Sequence, residues 1–188
     1  MKRIVIFASG SGTNAENIIQ YFNTNENVQV VMILANKKDA KVLERANNHK
    51  ISALYFNWTA FYKTKHILDL ILSVQPDLIV LAGFLWKMPE NIINMFPNKI
   101  INVHPALLPK YGGKGMFGMH VHNAIVKDKE NETGMTIHYV NENYDEGNII
   151  FQAKTDVSPS DSAEDVAKKV QKLEYEHFPK IIAQLLHD

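Results

Sequence analysis

IVIFASGSGTNAENIIQYF, residues 4–22, joins an apolar run, a glycine-rich turn and a helical pattern in one stretch. Residues 4–8 are continuously apolar over a short length, which is typical of a strand buried on both faces. The turn formers Ser9, Gly10, Ser11 and Gly12 end that strand, and residues 14–22 then have helical spacing. A strand, a tight turn and a helix in this order predict the first half of a βαβ unit.

The same alternation continues through the first hundred residues. Further strands are predicted at residues 28–35, 52–56, 78–82 and 100–103, and helices at residues 40–48, 65–74 and, in a short form, after Pro89. Strands that alternate with helical patterns of this length indicate a parallel sheet with right-handed crossovers.

The last third of the chain has a different pattern. Residues 135–140 and 149–155 read as strands with no helix between them, and a long helix begins near residues 158–162 and ends at His177, before Pro179. We therefore predict an α/β fold, a Rossmann-like doubly wound sheet that is mixed but mostly parallel and flanked by helices, in a single domain over residues 1–188.

Composition narrows the class of function. Twenty Lys and Arg residues balance twenty Asp and Glu residues, which gives no global reason to expect a nucleic-acid or membrane partner and favours a small-molecule substrate. The chain has no cysteine, which is compatible with a cytoplasmic location and excludes disulfides and thiolate metal sites. No apolar run has the length of a signal sequence or a membrane span.

Asn102 and His104 stand at the end of the predicted strand 100–103, directly before Pro105. Residues at i and i+2 of a strand share one face, so an amide donor and an imidazole are expected side by side at the carboxyl edge of the sheet. A capping Asn and a hydrogen-bonded structural His are the alternative. Asp145, in the polar loop 141–148, is expected to approach His104 and raise its pKa, as suits a general acid.

Two further motifs follow predicted strands. The loop 9–14 suits a phosphate, because its glycines allow close backbone approach and free N–H groups begin a helix, although a plain tight turn fits the residues as well. Gly10, Gly12 and Ala15 also match a dinucleotide pattern, which the missing acidic residue at the end of the second strand weakens. Residues 82–88 fit either a pocket wall for a flat ring or core packing.

The histidines outside this pair carry less information. His120 and His122 make a thin case for a metal site, since no third ligand accompanies them at a fixed spacing, and we favour roles in a loop or on a helix surface. Gly112 to Gly118 form a glycine-rich loop without an assigned role.

Several motifs, in this order and spacing, resemble those of the folate-dependent formyltransferases, from the first strand through the last helix. They are Ser9-Gly10-Ser11-Gly12-Thr13-Asn14, Leu81-Ala82-Gly83-Phe84, the stretch from Asn102-Val103-His104-Pro105 to Tyr111, Gly134 with His138, and Asp145-Glu146-Gly147. The N-terminal loop is particular to the branch of the family that formylates phosphoribosylglycinamide in purine biosynthesis.

The resemblance implies the formyltransferase fold and direct transfer of the formyl group of 10-formyltetrahydrofolate to the amine of 5-phosphoribosylglycinamide, giving formylglycinamide ribonucleotide and tetrahydrofolate, without a metal. It implies that Asn102 stabilises the oxyanion, that His104 is the general acid and that Asp145 tunes His104. The implied substrate contacts are Gly10, Ser11, Gly12, Thr13, Asn14, Gly83 and Glu174. The implied folate contacts are Leu85, Trp86, Lys87, Met88 and Asn102.

Two departures from the family pattern and two rival functions accompany this resemblance. Trp86 stands where the family often has Arg, and the residues 62–65, where a second basic folate contact falls, do not align securely. An amino-sugar formyltransferase is the rival within the family, and a non-catalytic nucleotide-binding module is the rival outside it. We expect a cytoplasmic monomer or homodimer with small-molecule substrates and neither a nucleic-acid nor a membrane partner.

Overall fold

The computed structural model describes residues 1–187, and the chain forms two compact units in it. The first unit comprises Met1–Ile101 and the end of the last helix from Leu186, and the second comprises Asn102–Leu185. Seven strands, β1 to β7 in chain order, form one sheet in the order β3-β2-β1-β4-β5-β6-β7. The predicted fold class is confirmed, whereas the single domain stays a prediction and its last residue, Asp188, lies outside the described part.

The first unit alternates strands and helices as predicted. Its strands are β1 (Lys2–Ala8), β2 (Val28–Ala35), β3 (Ser52–Tyr55) and β4 (Leu78–Leu81), and β5 (Ile100–His104) begins at its end. Its helices are α1 (Thr13–Phe22), α2 (Lys41–Asn48), α3 (Trp58–Tyr62), α4 (His66–Val74) and α5 (Glu90–Met95). β1 pairs in parallel with β2 and with β4, and β2 pairs in parallel with β3. Helix α3 was not predicted, because its single turn is too short to show a periodic pattern.

Burial of β1 explains why its sequence is apolar without alternation. Each side chain from Ile4 to Ala8 is at most 1% exposed, as expected for a strand between two parallel neighbours with helices on both faces. The ring of Phe7 packs edge to face on those of Phe56 and Phe84, at centroid distances of 5.9 and 5.2 Å. The carboxyl end of β1 therefore rests on a rigid aromatic core.

The second unit contains the antiparallel part of the sheet. It comprises α6 (Met119–Lys127), β6 (Glu132–Tyr139), β7 (Ile149–Asp156) and most of α7 (Ala163–His187). β6 and β7 pair antiparallel, so the predicted mixed sheet is confirmed. Helix α6 was not predicted, and it buries His122 to 5% exposure while His120 stays exposed, so the surface role expected for His122 is wrong.

The predicted end of the last helix is also wrong. Helix α7 continues through Pro179 to His187, although proline removes one backbone hydrogen bond. One buried face of α7 continues on both sides of the proline and consists of Val166, Val170, Phe178, Ile182 and Leu186. Burial of that face outweighs the local cost of the proline, which a boundary rule based on proline alone does not take into account.

The predicted start of α7 is confirmed by a capping box. The N–H of Asp165 donates to the hydroxyl of Ser162 at 3.2 Å, and the N–H of Ser162 donates back to the carboxylate of Asp165 at 3.1 Å. Ser162 and Asp165 therefore cap the start of α7 reciprocally.

Candidate active site

Asn102 and His104 occupy alternate positions of β5, so the strand period places them on one face as predicted. His104 is only 3% exposed, and Asn102 is half-buried. Nε2 of His104 lies 2.7 Å from the carbonyl oxygen of Tyr111. A carbonyl only accepts hydrogen bonds, so this contact puts a proton on Nε2 of the neutral ring.

Asp145, in the loop between β6 and β7, brings its carboxylate to both of these side chains. Oδ2 lies 3.6 Å from Nδ1 of His104 and accepts a hydrogen bond from the N–H of Gly113 at 2.9 Å. Oδ1 lies 3.5 Å from the amide nitrogen of Asn102. The backbone of Asp145 has φ 57°, a left-handed conformation that is uncommon for a residue with a side chain and is often found at functional positions.

His138, on β6, completes this group of side chains. Its Nδ1 lies 2.9 Å from the carbonyl of Tyr139, so Nδ1 carries the proton of the neutral ring and Nε2 accepts a hydrogen bond from the Asn102 amide at 3.1 Å. The same Nε2 lies 3.6 Å from Oδ1 of Asp145. His138 thus fixes which end of the Asn102 amide faces Asp145. We call Asn102, His104, His138 and Asp145 the polar cluster.

The charge of this cluster differs from the prediction in one respect. Burial of the imidazole lowers the pKa of His104 below its ordinary value of 6.5, although Asp145 and the carbonyl of Tyr111 act in the opposite direction. The predicted net increase of this pKa is therefore wrong, because the sequence could not show how completely the ring is desolvated. Burial disfavours ionisation of Asp145, but His138 and His104 outweigh it, so the pKa of this carboxyl is below its usual range.

The glycine-rich loop, residues 9–14, lies in the first unit and is held by α2. The N–H of Val42 donates to the carbonyl of Gly10 at 3.2 Å, and Nε of Arg45 donates to the carbonyl of Ser11 at 2.8 Å. Gly12 has φ 73°, and a Cβ there would lie 2.4 Å from a methyl group of Val42. Packing alone therefore requires glycine at position 12, which the reading as a tight turn also predicts.

Gly10 differs from Gly12 in this respect. A Cβ at Gly10 would meet nothing within 4 Å, and the residue is exposed. Contacts within the described residues do not explain a glycine at position 10. Helix α1 begins at Thr13, within this loop, and its N-cap is Gly12, which has no side chain to cap the helix. The N-terminus of a helix favours an anion through its dipole.

The loop after β4 is attached to the glycine-rich loop within the first unit. The N–H of Ser9 donates to the carbonyl of Gly83 at 3.0 Å, and the N–H of Leu85 donates to the hydroxyl of Ser9 at 2.9 Å. The hydroxyl of Tyr62 donates to the carbonyl of Lys87 at 2.6 Å. Leu85 and Lys87 are exposed, whereas Met88 is only 3% exposed and belongs to the core.

Two wider searches complete the description. Within residues 1–187 no three His, Asp or Glu side chains are arranged to hold a metal ion. In the same residues no helix is both long and apolar enough to cross a membrane.

Comparison with known proteins identifies the family of this chain. The sequence profile of the formyl transferase family matches residues 2–182. The chain belongs to the formyl transferase family. The prediction from the sequence motifs is confirmed, and the protein is an enzyme of this family.

Several similar proteins share the name phosphoribosylglycinamide formyltransferase. A phosphoribosylglycinamide formyltransferase of Haemophilus influenzae is 35% identical over 97% of this chain and 86% of that protein. The chloroplastic enzyme of the same name from Arabidopsis thaliana is 33% identical over the whole of this chain, which spans 66% of its length. The crystal structure of the Anaplasma phagocytophilum enzyme has a TM-score of 0.91 at 29% identity, covering all of this chain and 87% of that one.

The structure brings together three of the residues that the sequence predicted for this formyl transferase, Asn102, His104 and Asp145, within the second unit. It also brings the loops at Gly10 and Gly83 together within the first unit. Glu174 lies on α7, half-buried, in the second unit. Roles for these residues in substrate binding and catalysis remain predictions.

Sequence reasoning missed several residues that hold the site. Val42 and Arg45 were assigned only to a helix, yet they fix the glycine-rich loop. His138 was noted as part of the family motif without a role, and its position two residues beyond Thr136 on an apolar strand was an available signal. The backbone contacts of Tyr111 and Gly113 with the polar cluster gave no signal, because a sequence pattern does not show where a backbone carbonyl or N–H points.

Proposed function

We propose that this formyl transferase moves the formyl group of 10-formyltetrahydrofolate to the amine of 5-phosphoribosylglycinamide, with formylglycinamide ribonucleotide and tetrahydrofolate as products. The observation that carries the proposal is the polar cluster, in which an amide, an imidazole and a carboxylate meet within hydrogen-bond or ion-pair distance. The names of the similar proteins favour this reaction over the transfer to an amino sugar.

The reaction needs a donor for a developing negative charge. The substrate amine attacks the formyl carbon, and the carbonyl oxygen becomes an oxyanion in the tetrahedral intermediate. The Asn102 amide donates one hydrogen to Nε2 of His138. Its other hydrogen faces Asp145, whose Oδ1 lies 3.5 Å from the amide nitrogen, at the limit of a hydrogen bond. We propose that the oxyanion replaces Asp145 as the acceptor of that second hydrogen.

The reaction also needs a proton at the leaving nitrogen, N10 of the folate. The attacking amine loses one proton and N10 gains one, so the exchange is neutral overall. A lowered pKa makes the neutral imidazole of His104 the main resting form near neutral pH. Negative charge on the oxyanion raises that pKa again, so His104 takes up the proton that the attacking amine loses and donates a proton to N10 as N10 leaves. Asp145, whose pKa is low, stays ionised and stabilises the imidazolium.

The remaining assignments belong to the same proposal. The loop with Gly10, Ser11, Gly12, Thr13 and Asn14, together with Gly83, binds the phosphorylated substrate, and Glu174 binds its ribose. The open space at Gly10 and the position of the loop at the N-terminus of α1 support this assignment. The folate is bound by Leu85, Trp86, Lys87 and Met88, together with Asn102. Because Met88 is buried, its part is to pack beneath the residues that contact the folate. The enzyme is a cytoplasmic monomer or homodimer that needs no metal.

A turnover assay tests the proposed function. Purified protein is given formyltetrahydrofolate together with phosphoribosylglycinamide, with an amino-sugar nucleotide, or with no amine, and the release of tetrahydrofolate is followed. Of the three mixtures, we expect only the one with phosphoribosylglycinamide to release tetrahydrofolate. Release with the amino sugar instead would favour the rival within the family, and binding without turnover would favour a non-catalytic module.

A further inference from the structure

Residues 110–113 contact the polar cluster through two backbone groups. The carbonyl of Tyr111 accepts the hydrogen bond from Nε2 of His104 at 2.7 Å, and the N–H of Gly113 donates to Oδ2 of Asp145 at 2.9 Å. Gly112 lies between these contacts, where a Cβ would come within 2.6 Å of a Leu108 methyl group and 3.3 Å of Cβ of Asp145. The path of this short segment therefore sets the surroundings of both His104 and Asp145.

Tyr111 itself has an unusual backbone conformation. Its φ is 57°, the left-handed region that side-chain-bearing residues rarely adopt because Cβ crowds the neighbouring carbonyl. This conformation must be stabilised by contacts elsewhere, and it determines where the carbonyl of Tyr111 points.

The side chain of Tyr111 supplies such a contact. Its hydroxyl lies 2.9 Å from Oδ2 of Asp128 and 3.0 Å from Oε1 of Glu130, at the end of α6 and before β6. Glu130 is in turn held by Nζ of Lys110 at 2.8 Å. Burial and the two carboxylates raise the pKa of the Tyr111 hydroxyl, so it keeps its proton and acts as the donor to both oxygens.

We propose that Tyr111 is a positioning residue for catalysis: its hydroxyl, anchored on Asp128 and Glu130, holds its own carbonyl against Nε2 of His104. This inference rests on the proposed function for the role of His104. The sequence motifs did not indicate this role. The backbone carbonyl of Tyr111 contacts His104, whereas its side-chain hydroxyl contacts the two carboxylates, and a sequence pattern shows neither contact.

The other groups that face His104 do not replace this contact. Asp145 faces Nδ1, while His138 on β6 and His122 on α6 are close enough to interact electrostatically with the ring. His138 disfavours a proton on His104, His104 disfavours one on His122, and Asp145 and the Tyr111 carbonyl favour a proton on His104. A displaced Tyr111 carbonyl leaves Nε2 without its acceptor in a buried site, so the ring loses both its fixed orientation and part of its proton affinity.

The substitution Tyr111→Phe tests the proposal, since it removes the hydroxyl and keeps the ring and the backbone carbonyl. We expect kcat to fall roughly tenfold, the size of one hydrogen bond to a charged group, with the KM for phosphoribosylglycinamide unchanged. The acidic limb of the pH profile, which reports protonation of the resting His104, should move to lower pH, because the ring then binds its proton less readily. Tyr21→Phe is the matched control, since Tyr21 is 46% exposed on α1, and it should leave both readouts unchanged.

A double-mutant cycle identifies the anchor. Asp128→Ala with Glu130→Ala removes both acceptors while leaving Tyr111 in place, and it should reproduce the loss seen for Tyr111→Phe. Adding Tyr111→Phe to that pair should cost nothing more, because both changes break the same contact. Losses that multiply, or a Tyr111→Phe enzyme with wild-type kcat, would overturn the proposal. If Tyr111→Phe does not fold, the carboxylate pair carries the test.

A measurement without turnover separates this inference from the proposed function. Titration of the His104 ring by NMR should give a lower pKa in Tyr111→Phe than in the wild type, whatever the substrate is. An unchanged His104 titration would contradict the positioning role even if formyl transfer is confirmed. A wild-type enzyme without formyl transfer but with the expected shift would contradict the proposed function alone.

Discussion

The glycine-rich loop and the polar cluster are built by different means. The loop at residues 9–14 is shaped by backbone contacts and close packing, with Gly12 against Val42 and Ser9 bonded to Gly83 and Leu85. The polar cluster is formed by side chains whose charges depend on one another, with Asp145 at its centre. Substitutions in the loop should therefore act on folding and substrate affinity, and substitutions in the cluster should act on the chemical step.

This difference also explains why the same residue type has unlike roles. Gly12 is required by steric contact, Gly10 is not, and Gly113 donates a backbone hydrogen bond to the carboxylate of Asp145. The presence of a glycine in a motif thus does not say whether the position serves the fold or the ligand. Burial, free space and φ at each glycine separate the two cases.

The largest expected effect is on turnover, from substitutions in the polar cluster. His104→Ala removes the proposed general acid and should lower kcat by about 10²- to 10⁴-fold. Asn102→Ala removes the proposed oxyanion donor and should lower kcat by about 10²- to 10³-fold. Thermal melts of both variants should show a folded protein. Near-normal turnover of either variant would break the proposed division between the two regions.

Gly12→Ala should produce the largest loss of stability in the loop. An alanine at this position has to keep the left-handed backbone conformation. Its Cβ lies 2.5 Å from Cβ and 2.8 Å from Cα of Val42, so no change of rotamer relieves the clash. We expect a loss of about 2–5 kcal/mol in the free energy of unfolding by urea. Gly10→Ala is the control, because nothing lies within 4 Å of its added Cβ, and it should fold normally while raising the KM for phosphoribosylglycinamide.

Ser9→Ala should give a smaller loss of stability. It leaves the N–H of Leu85 without its acceptor in a part-buried position, and we expect a cost of about 1–3 kcal/mol in urea unfolding. Ser73→Ala, which removes an exposed hydroxyl bonded to the carbonyl of Leu70 on α4, is the matched comparison. Equal losses in the two variants would show that the Ser9 contact has no special weight.

The pH dependence of stability should be the smallest effect. Burial lowers the pKa of His104 and of His122 below 6.5, so the unfolded chain binds protons first as the pH falls. Their stabilisation is complete above pH 6.5 and is lost as the pH falls from there through the lowered values. The slope of unfolding free energy against pH should be shallower in His122→Gln and unchanged in Gly10→Ala. A steeper or reversed slope would show that burial does not control these rings.

The sequence predicted the first unit better than the second for physical reasons. Buried parallel strands such as β1 and β2 have mostly apolar sequences, and turn residues mark their boundaries. Helix α6 has no such boundary signals, and α7 passes through Pro179 because a buried face continues beyond it. Those elements depend on tertiary packing that no local pattern records.

The polar cluster was predictable only in part. Strand periodicity was sufficient to place Asn102 beside His104, and the polar loop 141–148 and the family motif both indicated Asp145. The direction of the His104 pKa was missed because desolvation depends on all the residues that cover the ring. The contacts from Tyr111 and Gly113 were missed because they are made by backbone atoms of residues in left-handed conformations.

Single-turnover formyl transfer, measured at saturating formyltetrahydrofolate over a range of phosphoribosylglycinamide concentrations, tests the central claim most directly. The wild type should transfer the formyl group to phosphoribosylglycinamide. Asn102→Ala should lower the maximal single-turnover rate with an unchanged half-saturating concentration, and Gly10→Ala should raise that concentration with an unchanged maximal rate. An Asn102→Ala enzyme that reaches the wild-type maximal rate would contradict the account.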